Sequence, residues 1–533
     1  MIRRLIDAGI IAAIGAIAIA QSWMRWLDPI VDTGRDLYIP QQLAHGAKLY
    51  RDIAYFYPPL TPYLLAAVTS VVGRSIASYV FIGIVIACAT ATVIYVLVRR
   101  VANDVAAVTA AATFAACSVA GQSTWGCNYL FPYAHAATLA MLFFLGMVGA
   151  LVEDRRPRLS GDRAAGRTGE GACPPLEWLA VVLAVAASWT KVEFAAFTLI
   201  VLLVARKRNA IVAYIALQAV VFAFVSFVFR DTDWLHGNVL PDAMRHSAVL
   251  RTFYANVAGF DQWPQLLVQS VLGAAAIAFV VFAIKRRWIA VACLLAAAVG
   301  ILGYFFIAWS ALQLALIPIA WRRRDTPLPL LLAASLCASS RVFLHLTPVW
   351  YGFVFVVPLY VLAAYVLFTF VPSRAWIAAF AGAALHSLVI AHGAYAKKTF
   401  PIITPRGTIY DANADRAAGL NALGRSGLRS LVVMPEGLTI NYLFDIPTPI
   451  KYHTFTPPES ADPQAELRIL HELETKRPEW IAIVPRDVSE FCSRGFGVDY
   501  DQRIAAYLRA HYSRSGAERY GGIVLLRQLE LPR

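Results

Sequence analysis

Long apolar runs separated by short basic clusters occupy the chain up to about residue 396. The hydrocarbon core of a bilayer is about 30 Å thick and needs roughly 20 apolar residues in a helix, and Lys and Arg concentrate at cytoplasmic ends. Counted in this way, the runs predict about 13 transmembrane helices. Two runs, 176–204 and 288–320, are basic on both sides and are predicted to be helical hairpins, turning near Thr190-Lys191 and Trp309-Ser310.

Basic residues also orient the chain. The MIRR start predicts a cytoplasmic N-terminus, so the first span crosses outward and residues 27–74 form the first outer loop. A polar loop rich in Gly and Arg, 153–175, is predicted on the cytoplasmic side, and the loop 230–263 on the outer side. The odd number of crossings then places the C-terminus outside.

The pattern changes near Lys397. Strand-like runs (LRSLVVMP, EWIAIVP and GIVLLRQ) alternate there with helix-like runs (DANADRAAGLNALG, PQAELRILHELETK and YDQRIAAYLRAHY), which is typical of a small α/β domain with a mostly parallel sheet. The chain therefore divides into a transmembrane domain, 1–396, and an outer α/β domain, 397–533. The outer domain contains no GxGxxG or Walker sequence, so a nucleotide site is not indicated.

Composition supports a membrane protein. Of the 533 residues, 59% are hydrophobic and only 15% are charged, where a soluble protein has roughly a quarter charged. The net charge of +14 comes from short clusters between apolar runs, which we interpret as topology signals, so a nucleic acid partner is not expected. The seven cysteines lack CxxC or Cys/His spacing, and neither a zinc site nor a disulfide framework is indicated.

The charged residues that do occur are concentrated near the predicted outer face. In DTGRDLYIP, residues 32–40, Asp32, Arg35 and Asp36 stand at i, i+3 and i+4, so one helical turn would place all three on one face. Pro40 predicts either that a short turn ends before it or that a new helix begins with it. The alternative interpretation is a solvated exit loop capped by Asp32.

Two further pairs are candidates for binding an anion. Lys191 and Glu193 lie at the tip of the first hairpin, where they form either a mutually neutralising pair or a phosphate contact through the lysine. Arg341 and His345 stand at i and i+4 at the outer end of a span and would share one helix face, as a phosphate site would require. Arg341 alone would be explained by snorkelling.

Two outer segments have weaker signals. Asp231-Thr232-Asp233 matches the DxD motif that binds metal and nucleotide in soluble glycosyltransferases. Nucleotide sugars are not expected outside the membrane, so these residues are predicted to begin a solvated loop or to contact the acceptor. The segment 435–459 is rich in aromatic residues and prolines and includes Asn441. It is either a surface loop or a roof over a membrane cavity that contributes to acceptor choice.

The first outer loop also resembles a known family. After D-x-x-R at Asp32 and Arg35, about ten residues lead to Gly46 and then to a PPL turn and a Tyr-rich apolar helix, in GAKLYRDIAYFYPPLTPYLLAAV, 46–68. This arrangement looks like the GT-C glycosyltransferases and is similar to the protein O-mannosyltransferase and lipid A aminoarabinose transferase group. The helix count and the outward-facing C-terminal domain agree with the resemblance.

The resemblance implies inverting transfer of a sugar from a polyprenyl-phosphate carrier to an envelope glycan, lipid or protein acceptor. It places the general base on Asp32 and a phosphate-binding cation on Arg35. Lys191, Arg341 and His345 are further candidates for the phosphate because of their own positions in the sequence. Asp36 and Glu193 are candidates for a metal or for the acceptor. No cofactor is specified by the sequence. A divalent cation near Asp32 and Asp36 is an alternative that the sequence leaves open.

The sequence departs from the family pattern at two positions. Thr33 stands where relatives usually have Glu, and Tyr57 where many have Lys; an acid often found in the second outer loop is also missing from 121–133. The predicted location is the bacterial inner membrane, with the bilayer itself a partner. The alternatives are a flippase or exporter of lipid-linked oligosaccharide, a polymerase or ligase of lipid-linked glycans, and a structural anchor for the outer domain.

Overall fold

A computed structural model of the chain describes residues 2–121, 126–154, 174–235, 248–514 and 520–529. Most of the predicted loop 153–175 and part of the loops 121–133 and 230–263 therefore lie outside the described residues. The membrane part consists of helices α1 (Ile2–Ser22), α2 (Gly34–Ala44), α3 (Leu60–Val72), α4 (Ile76–Val101), α5 (Asp104–Phe114, continued by a π-helical turn, Ala115–Val119), α6 (His135–Asp154), α7 (Pro174–Thr190), α8 (Glu193–Ala205), α9 (Arg208–Val228), α10 (Ala248–Ala258), α11 (Trp263–Lys285), α12 (Ile289–Ile301), α13 (Tyr304–Arg322), α14 (Leu328–Ser339), α15 (Gly352–Phe355), α16 (Val357–Phe370) and α17 (Ala375–Ala396).

Every apolar run that predicts a span forms a helix. Within the described residues, eight helices are long and apolar enough to cross a membrane, and six more apolar helices of 10–17 residues accompany them. One of these six is α3, which lies in the predicted first outer loop. The chain is thus a polytopic α-helical membrane protein, as the sequence predicts.

The two hairpins differ in how well the sequence places their turns. The first breaks at Lys191 and Val192, between α7 and α8, and this prediction is confirmed. The second also exists, but its turn lies at Leu302-Gly303 and the prediction at Trp309-Ser310 is wrong. Gly303 has φ 78°, a left-handed conformation that costs glycine little, whereas Trp309 is buried within α13.

Helix α2 corrects the interpretation of DTGRDLYIP. It begins at Gly34 and continues through Pro40 to Ala44, so it neither ends at the proline nor starts there. Asp32 precedes the helix with φ 60° and pairs with Arg35, whereas Asp36, in the first turn, bonds to His135. The three charged residues therefore do not share one helix face.

The C-terminal domain contains an antiparallel hairpin and a four-stranded sheet of order β3-β4-β6-β5. Only β3 and β4 are parallel; β4 with β6 and β5 with β6 are antiparallel, so the prediction of a mostly parallel sheet is wrong. The connection from β5 to β6 is too short for the crossover helix that parallel strands need. The elements are β1 (Phe400–Thr404), β2 (Gly407–Asp411), α18 (Ala414–Gly424), β3 (Val432–Met434), α19 (Leu438–Phe444), α20 (Pro457–Ser460), α21 (Pro463–Lys476), β4 (Trp480–Ile483), a 3-10 turn (Ser489–Phe491), α22 (Gln502–His511), β5 (Tyr512–Arg514) and β6 (Val524–Gln528).

The two parts of the chain dock through α2 and α19. A Cβ on Gly34 would lie 2.2 Å from the backbone N of Thr439, so only glycine permits this close approach. Gln41 of α2 also donates to Asp445 at 2.9 Å, and Asp445 pairs with Arg406 at 2.7 Å. The C-terminal domain is therefore held directly against the first outer loop.

Candidate active site

A cavity of about 180 Å³ lies where the C-terminal domain meets the membrane part, and we call it the inner cavity. Five of the seven candidate site residues line it. Charged and tyrosine side chains come from both parts of the chain: Asp32, Arg35, Tyr57, Tyr133, Lys191, Glu193, Tyr254, Arg341 and Tyr351 from the membrane part, and Glu436, Glu459, Arg486 and Glu490 from the C-terminal domain.

Asp32 and Arg35 form one corner of the inner cavity. Arg35 Nη2 lies 3.1 Å from Asp32 Oδ1, and Arg35 Nη1 donates to the Tyr57 hydroxyl at 3.1 Å. The Tyr57 hydroxyl therefore contacts the guanidinium of Arg35. Both charged side chains are partly exposed to the cavity, at 31% for Asp32 and 16% for Arg35.

A network from the C-terminal domain holds the backbone of Asp32. The Asp32 N–H donates to Glu436 Oε1 at 2.6 Å, and Arg486 Nε lies 2.7 Å from Glu436 Oε2. The same guanidinium reaches Glu490 Oε1 at 2.5 Å through Nη2. Because Asp32 has a left-handed φ, which a non-glycine residue rarely adopts, these contacts help to fix a conformation that would otherwise be disfavoured.

A second cationic corner is built on the tip of the first hairpin. Glu193 Oε1 lies 2.9 Å from both Lys191 Nζ and Arg341 Nη1, so one carboxylate holds two cations together. Lys191 also donates to the Tyr133 hydroxyl at 3.3 Å, and Arg341 stacks over the Tyr254 ring at 4.7 Å. The lysine is thus ion-paired, and it also faces the inner cavity.

Burial raises the pKa of three acids of the inner cavity that lie outside the membrane spans. Burial raises the pKa of Asp32, with Arg35 and Arg486 opposing the shift, and burial likewise raises the pKa of Glu436. For Glu459 burial raises the pKa to about 7, although Arg35 acts against it. A raised pKa makes a carboxylate a stronger base, which is the direction that a general base requires.

Two candidate residues do not line the inner cavity. The Asp36 carboxylate accepts from the His135 backbone N–H and lies 3.0 Å from His135 Nδ1, and both side chains are buried. The structure therefore does not bring Asp36 to Asp32 as a shared cation site would need. His345 lies beside Asp261, with Nε2 4.0 Å from Oδ1.

The expectation that Arg341 and His345 share a helix face is wrong. Helix α14 ends at Ser339, and the chain continues in turns up to α15. The backbone N–H groups of Arg341 and Val342 bond to carbonyls three residues back, so the α-helical hydrogen-bond ladder that would place residues 341 and 345 on one face has already ended. Arg341 reaches the inner cavity from a turn, while His345 points elsewhere.

The segment 435–459 roofs the inner cavity through Glu436, Thr454, Thr456, Pro458 and Glu459. Asn441 has a structural role, because its side chain donates at 2.8 Å to the carbonyls of Leu431 and Ile446. Its contribution to acceptor choice stays a prediction.

The DxD aspartates are paired with lysines. Asp231 Oδ1 lies 2.5 Å from Lys48 Nζ, and Asp233 Oδ2 lies 2.9 Å from Lys451 Nζ. Across the described ranges, no group of three or more His, Cys, Asp or Glu side chains has an arrangement that could hold a metal ion.

Sequence reasoning missed the acids and the arginine from the C-terminal domain. Glu436 follows strand β3 in VVMPEG, and Arg486 follows strand β4 in IAIVPRD. Strands β3 and β4 are parallel neighbours, so their carboxyl ends lie at the same edge of the sheet. Charged residues just after two adjacent strands were the signal that would have found them.

Comparison with solved structures places this architecture in a known class. The chain resembles ArnT, the lipid A aminoarabinose transferase, from Cupriavidus metallidurans in the apo state, with TM-score 0.52, 13% identity and 100% of both chains covered. It also resembles the Archaeoglobus fulgidus oligosaccharyltransferase in the apo form, with TM-score 0.50, 13% identity, and 89% of this chain and 69% of that chain covered. No protein family profile and no curated protein sequence matches the chain. The chain has the GT-C fold, as the first outer loop predicts.

Proposed function

We propose that the protein is a glycosyltransferase that moves a sugar from a polyprenyl-phosphate carrier to an acceptor, with inversion at the anomeric carbon. One observation carries the proposal: within a GT-C fold, a single cavity combines the Asp32 carboxylate with the cations Arg35, Lys191 and Arg341. The sugar, hexose or pentose, and the acceptor are not specified by these residues.

Asp32 acts as the general base in this reaction. As the acceptor hydroxyl oxygen bonds to the anomeric carbon, its proton passes to an Asp32 carboxylate oxygen. The bond from that carbon to the carrier phosphate breaks, and its electron pair leaves with the phosphate. A positioned base of this kind contributes about 10²- to 10⁴-fold to a rate.

The cations stabilise the departing phosphate. Negative charge grows on the phosphate oxygens as the bond breaks, and fixed cations at that position lower the barrier. Glu193 holds Lys191 and Arg341 within hydrogen-bonding distance of one carboxylate, so both cations are positioned before the carrier arrives. Arg35, paired with Asp32, is the cation nearest the base and links proton removal to phosphate binding.

We infer that the reaction takes place at the outer face of a bacterial inner membrane. The basic clusters between spans support a cytoplasmic N-terminus, with the first outer loop and the domain 397–533 on the opposite side. In that orientation the lipid carrier reaches the inner cavity from the bilayer, and the acceptor approaches through the outer domain.

The test is transfer of labelled sugar from a panel of polyprenyl-phosphate sugars to envelope extract, with the purified protein reconstituted in vesicles. Wild type is expected to transfer one of the labels, and Asp32→Asn to lose about 10²- to 10⁴-fold in rate. Asp36→Asn is the matched control, because Asp36 contacts His135 outside the inner cavity and asparagine keeps an acceptor for the His135 N–H. It should stay within about fivefold of wild type, since no reacting group is lost.

Equal transfer by wild type and Asp32→Asn would show that Asp32 is not the general base. Movement of lipid-linked glycan across the vesicle membrane without any transfer would replace the proposal with a flippase. A requirement for an oligosaccharide donor would indicate a polymerase or ligase.

A further inference from the structure

A second cavity lies beside the inner cavity, between the first outer loop and the C-terminal domain. It has a volume of about 660 Å³, within the range of about 300 to 1,000 Å³ that ligand sites occupy. We call it the outer groove. Phe56 and Glu459 line both the outer groove and the inner cavity, so the two cavities are adjacent across these two residues.

One wall of the outer groove is aromatic. The first outer loop contributes Tyr50, Tyr55 and Phe56, and Tyr452 comes from the C-terminal domain. Tyr50 is held in place, because its hydroxyl donates to the Tyr57 carbonyl at 2.8 Å and its ring packs 6.2 Å from that of Tyr55. Tyr50 and Tyr55 are buried, at 2% and 7% exposed, so they support this wall from within. Phe56 and Tyr452 are only partly buried, and their rings offer flat surfaces for apolar C–H faces.

The opposite wall is a polar row on helix α21. Gln464, Arg468, Glu472 and Thr475 follow one another at intervals of four, four and three residues, which places them on one helix face. The row offers amide, guanidinium, carboxylate and hydroxyl groups, and so both donors and acceptors of hydrogen bonds.

Lys451 ties the two walls together. Its carbonyl accepts from the Ala54 N–H at 2.9 Å, its own N–H donates to Glu472 at 2.6 Å, and its ammonium pairs with Asp233 at 2.9 Å. The outer groove is therefore preorganised, which lowers the cost of ordering it around a ligand.

The chemistry of the two walls identifies the ligand class. A saccharide ring has an apolar C–H face that packs on an aromatic ring and a rim of hydroxyls that both donate and accept hydrogen bonds. A lipid chain would leave the polar row of α21 unpaired, at a cost for each desolvated group. Peptides commonly bind by adding a strand to a sheet edge. Yet none of the residues that line the outer groove, all of them described, belongs to a strand.

We propose that the outer groove binds a saccharide acceptor and directs its terminal hydroxyl past Phe56 and Glu459 to Asp32. The proposal rests on the transferase function and adds the chemical class of the acceptor. The residues that line the outer groove differ from those of the inner cavity except for Phe56 and Glu459, so binding and chemistry are separable by mutation.

The experiment measures binding and transfer on the same reconstituted full-length variants. The binding probe is a size-fractionated set of fluorescently labelled oligosaccharides released from the cell envelope; a labelled Ser/Thr-rich peptide is the comparison probe. Arg468→Ala and Tyr452→Ala remove one group from each wall. Lys476→Ala is the matched control, because it removes one charge from an exposed position in the last turn of α21, outside the outer groove.

Oligosaccharide binding is expected in wild type, with Arg468→Ala and Tyr452→Ala weaker by about five- to tenfold and Lys476→Ala unchanged within about twofold. In transfer, the two groove variants should raise the acceptor KM by a similar factor and leave the donor KM unchanged. Asp32→Asn should bind the oligosaccharides as wild type does.

Binding of the peptide in place of the oligosaccharides would overturn the ligand class, and equal effects in Arg468→Ala and Lys476→Ala would overturn the site. The proposed function fails separately. If oligosaccharides bind in the outer groove but no donor supports transfer, the transferase is contradicted and the saccharide site stands. If transfer depends on Asp32 while the groove variants keep the wild-type acceptor KM, the saccharide site in the outer groove is contradicted and the transferase function stands.

Discussion

The inner cavity has two walls that differ in how their charged residues reach it. The membrane wall, made of Asp32, Arg35, Lys191, Glu193 and Arg341, comes from the ends of apolar helices and the loop after α1. The domain wall, made of Glu436, Glu459, Arg486 and Glu490, comes from the C-terminal domain. The membrane wall contains the cations and the base that contact a donor in the proposed reaction, and the domain wall contacts the base itself.

This difference indicates a division of labour. Glu436 accepts from the Asp32 backbone, and Arg486 holds Glu436, so in the proposed reaction the domain wall would act through Asp32. Substitutions in the membrane wall are therefore expected to remove transition-state contacts. Substitutions in the domain wall are expected to misplace the base, with smaller losses.

The largest expected effect is on the membrane wall. Arg341→Ala should lower kcat by about 10²- to 10³-fold, because it removes a cation from the leaving phosphate. Glu193 keeps its contact with Lys191 in this variant, so folding should be preserved. His345→Ala is the control four residues away and should stay within about twofold. Steady-state transfer assays check both, and equal losses in the two variants would contradict the placement of Arg341.

A substitution that disturbs the docking of the domain wall against the membrane wall should have a smaller effect than Arg341→Ala. Gly34→Ala puts a Cβ 2.2 Å from the Thr439 backbone and should destabilise the docked C-terminal domain by about 1–3 kcal/mol. Thermal unfolding of the detergent-purified protein measures the effect. Gly9→Ala on α1 is the control, because nothing lies within 4 Å of a Cβ there. An unfolding temperature that is unchanged in Gly34→Ala would show that the close approach is not required.

Within the domain wall, Glu436→Ala should lower kcat by about tenfold, in line with the loss of one hydrogen bond to a positioned residue. Glu436→Gln retains an oxygen that can accept from the Asp32 N–H and should lose less. The donor KM should change little in either variant, because Glu436 does not belong to the cation set. A large rise in the donor KM would instead place Glu436 at the phosphate.

The smallest effect concerns the pH dependence of stability. Burial raises the pKa of Glu459 to about 7, so the folded protein keeps this proton between pH 4.5 and 7 while the unfolded chain loses it. The contribution of Glu459 to stability is therefore fully present below about pH 4.5 and is lost as the pH rises to 7. Glu459→Gln should remove that loss. The change in unfolding temperature from pH 5 to pH 8 should therefore be more favourable in Glu459→Gln than in wild type, by on the order of a few °C. Parallel pH profiles for both proteins would contradict the shift.

The membrane wall was predictable because charge is costly near apolar spans. Lys191, Glu193 and Arg341 stand out in the sequence for that reason, and the hairpin that carries the first two is confirmed. The domain wall could not be recognised in the same way, since charged residues are ordinary in a water-exposed domain. Its convergence depends on the parallel pairing of β3 with β4, which joins segments about fifty residues apart.

Residue spacing alone also failed to predict which side chains share a face in the first outer loop. Positions i, i+3 and i+4 predict one face only if the helix is already formed at residue i, and here α2 begins after Asp32. Asp32 faces the inner cavity while Asp36 bonds to His135, and the Asp32 N–H contacts Glu436, more than 400 residues away in sequence. The same limit applies to His345, because the helix assumed for it ends at Ser339.

A double-mutant cycle tests most directly whether the domain wall acts through the base. Single-turnover transfer rates are measured for wild type, Asp32→Asn, Glu436→Ala and the double variant. If Glu436 acts by positioning Asp32, Glu436→Ala costs about tenfold in the wild-type background and less than about twofold once Asp32 is replaced. A tenfold loss in both backgrounds would make the two residues independent and contradict the division of labour between the walls.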